Sequence, residues 1–193
     1  MPGGGANSSG GGGVTAGPAA DADLVSLIQA RIRDIPDYPR QGVLFKDITP
    51  LLADGPAFRR VIAALADGHD AVDKVAGIEA RGFILAAPVA SLLGAGFVPI
   101  RKQGKLPAAT YAQSYELEYG TATVEVHQDA FERGDRVLLV DDVLATGGTA
   151  AASAGLITRS GATIAGIVVL LELGFLDGRA RLPGLPVSAL LAV

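Results

Sequence analysis

Residues 137–149 read VLLVDDVLATGGT. An apolar run ends in two adjacent carboxylates, Asp141 and Asp142. A short loop follows, and Thr146, Gly147, Gly148 and Thr149 open what the pattern predicts to be a helix. Glycines let a backbone come close to a ligand, and a helix start offers unpaired N–H groups at the positive end of its dipole. The combination is a seat for phosphate. The carboxylates beside it would repel phosphate and suit hydroxyl groups or a metal, so sugar hydroxyls next to a phosphate point to a ribose phosphate. The plainer alternative is a buried strand running into an ordinarily capped helix; charges at a strand end weigh against it, being costly unless they face solvent or a ligand. No lysine follows the glycines as in GxxxxGK[ST], and no GxGxxG turn is present, which excludes two common phosphate loops.

The surrounding chain is consistent with an enzyme core. Its 193 residues are 49% hydrophobic and 19% charged, enough for one domain with a sizeable interior. A net charge of −4 argues against a general nucleic-acid surface. Without cysteine there is no disulfide framework, thiol catalysis or zinc–thiolate site. His69 and His127 lie far apart, without ligand spacing. No apolar stretch is long enough to span a bilayer. Residues 1–20 hold eight of the 26 glycines and no charge, and they lack the basic start and apolar stretch of a secretory signal. They are expected to form a disordered tail ahead of a single domain at 21–193, in a cytoplasmic protein.

From Asp21 onward the pattern alternates. Asp23 is expected to cap a helix over Leu24, Leu27, Ile28 and Ile32, ended by Pro36 and Pro39. A second helix is predicted near 56–66, started by Asp54. Strands are predicted at 74–79, 96–101, 121–127, 136–140, 163–171 and 187–192, with helices after Gly82 and after Gly148. This alternation predicts an α/β fold: an open, mainly parallel sheet with helices on both faces. Ligands in such sheets bind at the carboxyl ends of strands, where both Arg81 and the Asp141 segment fall.

These residues resemble the type I phosphoribosyltransferases. VLLVDDVLATGGT is similar to the family's phosphoribosyl-pyrophosphate signature. In the family's order stand RIRDIPDYPRQGVLFKDITPLL at 31–52, GIEARGF at 77–83, IRKQGKLP at 100–107, SYELEYG at 114–120 and LLELGFLDGR at 170–179. The segments at 100–107 and 114–120 narrow the resemblance to members that use adenine. It implies transfer of ribose 5-phosphate from phosphoribosyl pyrophosphate to N9 of adenine, giving AMP and pyrophosphate. It further implies that Asp141 and Asp142 face the ribose hydroxyls, while Ala145, Thr146, Gly147, Gly148 and Thr149 hold the 5-phosphate. Arg81, with Arg101, Lys102 and Lys105, is expected at the pyrophosphate. Mg2+ is expected to arrive with the substrate, without an all-protein cage, and a homodimer is the family's expectation.

Two further elements follow from the resemblance. A hood near 36–50 would cover the purine, with Phe45 stacking, Leu44 and Lys46 beside it, and Leu173 opposite; the alternative for Phe45 is plain core. Lys46 stands where arginine is often found, which leaves tolerance of a 6-oxopurine open. Residues 103–120 are expected to form a lid loop that keeps water from an oxocarbenium-like centre. In it Glu118 would exchange a proton with adenine N7 or N9, and Tyr119 would pack on ribose or lid. Two competing functions are a phosphoribosyltransferase for xanthine or hypoxanthine, and a regulator that senses phosphoribosyl pyrophosphate without turning it over.

Overall fold

A computed structural model describes residues 21–116 and 120–193. In chain order the elements are α1 (Ala22–Gln29), β1 (Arg33–Pro36), β2 (Leu44–Asp47), α2 (Thr49–Ala53), α3 (Gly55–Ala66), β3 (Lys74–Ile78) and α4 (Arg81–Leu93). They continue with β4 (Gly96–Lys102), β5 (Thr110–Glu116), β6 (Thr121–His127), β7 (Arg136–Leu144), α5 (Gly148–Arg159), β8 (Thr163–Glu172) and β9 (Val187–Ala192). Two 3-10 turns, Gly174–Leu176 and Gly178–Arg181, separate β8 from β9.

Seven strands form one sheet in the order β5-β6-β4-β3-β7-β8-β9, with β4, β3, β7, β8 and β9 parallel and the β5–β6 hairpin antiparallel at one edge. The central strands are largely apolar because both of their faces are covered, the charges falling at their ends. On β7, Leu138 and Val140 pack with α1, α3 and α4, whereas Val137 and Leu139 pack with α5. This is the period-two alternation of a strand sending successive side chains to opposite layers. From β3 the chain crosses by α4 to β4 on one side, while β7 pairs with β3 on the other. That reversal opens a crevice beyond the carboxyl ends of β3 and β7.

Four local expectations are corrected. Asp21, rather than Asp23, caps α1, its carboxylate accepting the Leu24 N–H at 2.6 Å. The helix stops at Gln29, so Ile32 falls outside it; the arginine-rich stretch that follows leads into β1, which pairs with β2 as an antiparallel hood. β7 does not end before the carboxylates: Asp141 stays in register with Val169 and Leu144 with Glu172, because β8 continues alongside and keeps the backbone paired. Nor is 103–120 one long loop. Residues of β5 pair with β6 from Thr110↔His127 to Glu116↔Thr121. An edge strand leaves one side to solvent, so polar side chains are tolerated there and the segment reads as loop in sequence. The predicted tail at 1–20 lies outside the described residues.

Leu139 is fully buried in the α5-side cluster. Leu139→Ala should lower unfolding free energy by about 2–5 kcal/mol in urea titration, through lost transfer energy and the cavity left behind.

Candidate functional site

The crevice is built by close backbone approach. A Cβ on Gly82 would lie 2.7 Å from Asp141 Oδ1 and 3.1 Å from the Val140 carbonyl, so glycine at this position lets the first turn of α4 rest on the end of β7. Arg81 is thereby held above the acidic pair. Its Nη2 stands 2.7 Å from Asp142 Oδ2, close as an ion pair but without the alignment of a hydrogen bond. Its Nη1 donates to the Lys46 carbonyl at 3.3 Å, and its guanidinium carbon lies 4.8 Å from the centre of the Phe45 ring. One cation thus joins β7 to the hood.

Asp142 is buried and Asp141 half-buried. Burial raises the pKa of both carboxyl groups, and the neighbouring charge of Asp142 raises Asp141 further, to well above its ordinary range. Arg81 opposes the rise at both. The pair therefore holds negative charge that the fold alone compensates poorly, as expected of carboxylates awaiting a polar or cationic ligand.

Beyond β7, Ala145, Thr146 and Gly147 turn into α5. Gly147 has φ 79° and caps the helix with no side-chain bond, leaving the first N–H groups of α5 uncapped by any side chain. Asp141, Ala145, Thr146, Gly147, Gly148 and Thr149 line one cavity with Val143 and Leu144. The loop is pinned from behind. A Cβ on Gly147 would collide with the Gly178 carbonyl, and one on Gly178 with the Ala145 carbonyl. The two backbones can interlock only because both residues are glycine. The Thr149 hydroxyl donates to the Tyr115 hydroxyl at 3.1 Å, tying the loop to β5.

The predicted cations gather at the end of β4, next to β3. Arg101 Nε and Nη2 donate to Glu79 at 3.1 and 3.3 Å, and the Lys102 N–H donates to Glu79 Oε2 at 3.0 Å. Burial alone would raise Glu79; these donors outweigh it and lower its pKa. Lys102 and Lys105 are exposed. In the hood, Phe45 packs edge-on to Tyr38 at 5.1 Å and belongs to neither core cluster. Leu44 is exposed, and the Lys46 ammonium pairs with Asp34 at 2.8 Å. Leu173 follows β8, its N–H donating to the Leu144 carbonyl at 2.9 Å. Glu118 and Tyr119 lie outside the described residues. Sequence reasoning missed Glu79, Tyr115 and Gly178. The stretches EARGF, SYELEYG and LDGR stand out in the sequence, but only the packing shows what those three residues touch.

Such an α/β sheet, with an acidic pair and a glycine-bounded helix start at its switch point, defines a nucleotide- or sugar-phosphate-handling enzyme class. The sequence profile of the phosphoribosyl transferase domain matches residues 51–182. A relative from Acidothermus cellulolyticus, named adenine phosphoribosyltransferase, is 62% identical over 174 residues, covering 89% of this chain and 98% of its own. The crystal structure of adenine phosphoribosyltransferase from Thermoanaerobacter pseudethanolicus superposes with a TM-score of 0.85 at 50% identity, covering 88% of this chain and 99% of that one. The Saccharomyces cerevisiae enzyme, solved with an imino-altritol bisphosphate and adenine, gives 0.82 at 34% identity over 88% and 99% of the two chains. The chain belongs to the adenine phosphoribosyltransferase family. Its sheet is the type I phosphoribosyltransferase fold expected from the sequence.

A raised carboxyl pKa means that the folded state keeps protons the unfolded chain has released. Stability associated with Asp141 is therefore lost as pH rises above its ordinary value near 3.8 and through the raised folded value. Asp141→Asn should melt higher than the parent at pH 8, with the advantage shrinking toward pH 4, and should nearly abolish turnover. Melting curves across that range and a turnover assay check both halves.

Proposed function

We propose that this chain makes AMP and pyrophosphate from adenine and phosphoribosyl pyrophosphate, as a purine salvage enzyme. The single observation that carries the reading is the placement of Asp141 and Asp142 between the helix start at Gly148 and the guanidinium of Arg81, together with relatives of the same name across nearly their full length.

In this mechanism the uncapped N–H groups at 145–149, with the hydroxyls of Thr146 and Thr149, hold the 5-phosphate. Asp141 and Asp142 accept from the ribose hydroxyls. N9 of adenine bonds to ribose C1 as the bond from C1 to pyrophosphate breaks, and the electron pair leaves with the pyrophosphate. Positive charge grows on the ribose ring, where the two carboxylates favour it, and negative charge grows on the leaving group, where Arg81, Arg101, Lys102 and Lys105 favour it. Glu118 takes the proton released from the base. Phe45 stacks on the purine, with Leu44 and Lys46 at the hood and Leu173 across from it; Tyr119 packs on the ribose or the lid.

Among the described residues no group of three acidic or histidine side chains could hold a metal. On this reading magnesium is carried on the pyrophosphate, where it would supply charge neutralisation. We also read the chain as a homodimer: α4 carries no charge after Arg81, and Ile84 and Leu92 on α4 and Phe97 on β4 are exposed apolar side chains. No helix among the described residues is long and apolar enough to cross a membrane, and we place the enzyme in the cytoplasm.

Parallel assays with adenine, hypoxanthine, guanine and xanthine test the reading. AMP should form far faster than any other nucleotide, and preference for a 6-oxopurine would refute the assigned base. Glu118→Ala should lower kcat by about 10²–10⁴-fold, the usual contribution of a general acid–base group, with a smaller effect on phosphoribosyl-pyrophosphate binding; unchanged kcat would remove Glu118 from the mechanism.

A further inference from the structure

Glu125 lies on β6, is 5% exposed, and has no part in the mechanism above. Its Oε1 accepts the backbone N–H groups of Gly104, Lys105 and Leu106 at 3.0, 3.1 and 3.2 Å, and its Oε2 accepts from the Thr110 hydroxyl at 3.4 Å. Three consecutive main-chain donors on one charged oxygen wrap a turn around the side chain. Hydrogen bonds to an ionised acceptor are about twice as strong as neutral ones. The turn it organises joins β4 to the hairpin strand β5. The same turn returns the Lys105 carbonyl to Arg101 Nη1 at 3.0 Å, and Arg101 in turn grips Glu79. Glu125 is also opposite Arg101 in the β4–β6 pairing, with Val124 opposite Lys102.

We propose that Glu125 is a positioning residue for the diphosphate, acting through the turn at 104–106. This rests on reading the 101–105 segment as the diphosphate-binding cations. Lys102 and Lys105 carry exposed ammonium groups outside the ion pairs of the described residues. Two cations on a free loop would lose conformational entropy on gripping a ligand. A turn already fixed by a buried carboxylate spares that loss. A neutral side chain of the same shape cannot do this equally well. Glutamine has one acceptor oxygen without the charge, and it turns donors toward the partners of the second oxygen.

The test uses the full-length chain and the Glu125→Gln variant. It compares KM for phosphoribosyl pyrophosphate with magnesium, KM for adenine, and the dissociation constant of AMP, which carries the base and 5-phosphate but no diphosphate. The expected result is a rise of about tenfold in KM for phosphoribosyl pyrophosphate, with the other two constants within about twofold of the parent, as loss of one charge-assisted cluster predicts. An unchanged KM for phosphoribosyl pyrophosphate overturns the proposal. So does AMP binding that weakens in step with it, because that pattern marks a general structural role. Should Glu125→Gln not fold, Glu125→Asp takes its place. It keeps the charge but shortens the reach, and the same selective rise supports the proposal; failure of both variants to fold overturns it. A parent chain that forms no nucleotide refutes the underlying enzyme reading instead, so the two failures are separable.

Discussion

Two adjacent carboxylates on a strand covered on both faces are the constraint around which this structure is arranged. Burial raises the pKa of both carboxyl groups, and the charge of Asp142 makes Asp141 harder still to ionise. Arg81 is the compensation, and the fold places it with care. α4 starts directly after β3, Gly82 allows that start to lie on β7, and the guanidinium meets Asp142 at 2.7 Å. The same side chain reaches the Lys46 carbonyl and the Phe45 ring. The hood therefore takes its position from the electrostatics of the acidic pair as well as from its own hairpin.

Around that centre, charge is sorted by strand. The ends of β3 and β4 carry Arg81, Arg101 and Lys102, while β7 carries the carboxylates and then the uncharged helix start. Neighbouring ends of a twisted parallel sheet lie about 5 Å apart per strand, so opposite chemistries can face one ligand. A sugar bearing a phosphate at one end and a diphosphate at the other matches this sequence of surfaces. Glu79 and Glu125 are the inner layer of the arrangement. Both are largely withdrawn from solvent: Glu79 accepts from the Arg101 guanidinium and the Lys102 N–H, and Glu125 from three main-chain N–H groups and the Thr110 hydroxyl. Like charges on adjoining residues repel, and acids placed behind them hold the segment together.

Much of this was readable beforehand. The order of the parallel strands and their helices, Asp54 as the cap of α3, and the strand–glycine–helix joint at 137–149 all follow from local chemistry, because caps and apolar periodicity act within a few residues. The edge strand β5 was misread for a reason of the same kind. Its polar residues are tolerated by a partner, β6, that local sequence does not announce. The cap of α1 was misassigned between two aspartates only two residues apart, where either could serve by composition and the backbone conformation chooses.

The sequence by itself determined that the chain forms a doubly covered parallel sheet and that a phosphate-type loop follows a strand bearing two carboxylates. Those properties reside in residue order, and short-range sterics and burial enforce them. Only the tertiary structure decided which distant groups meet. Arg81 is paired with Asp142 sixty-one positions on (142 − 81), Gly178 interlocks with Gly147, Tyr115 receives Thr149, and Glu125 gathers the turn at 104–106. Contacts of that kind depend on strand order and crossover, in which β7 returns to lie beside β3 rather than beside β6. No local pattern encodes that choice, because it is settled by how the whole chain buries its apolar faces.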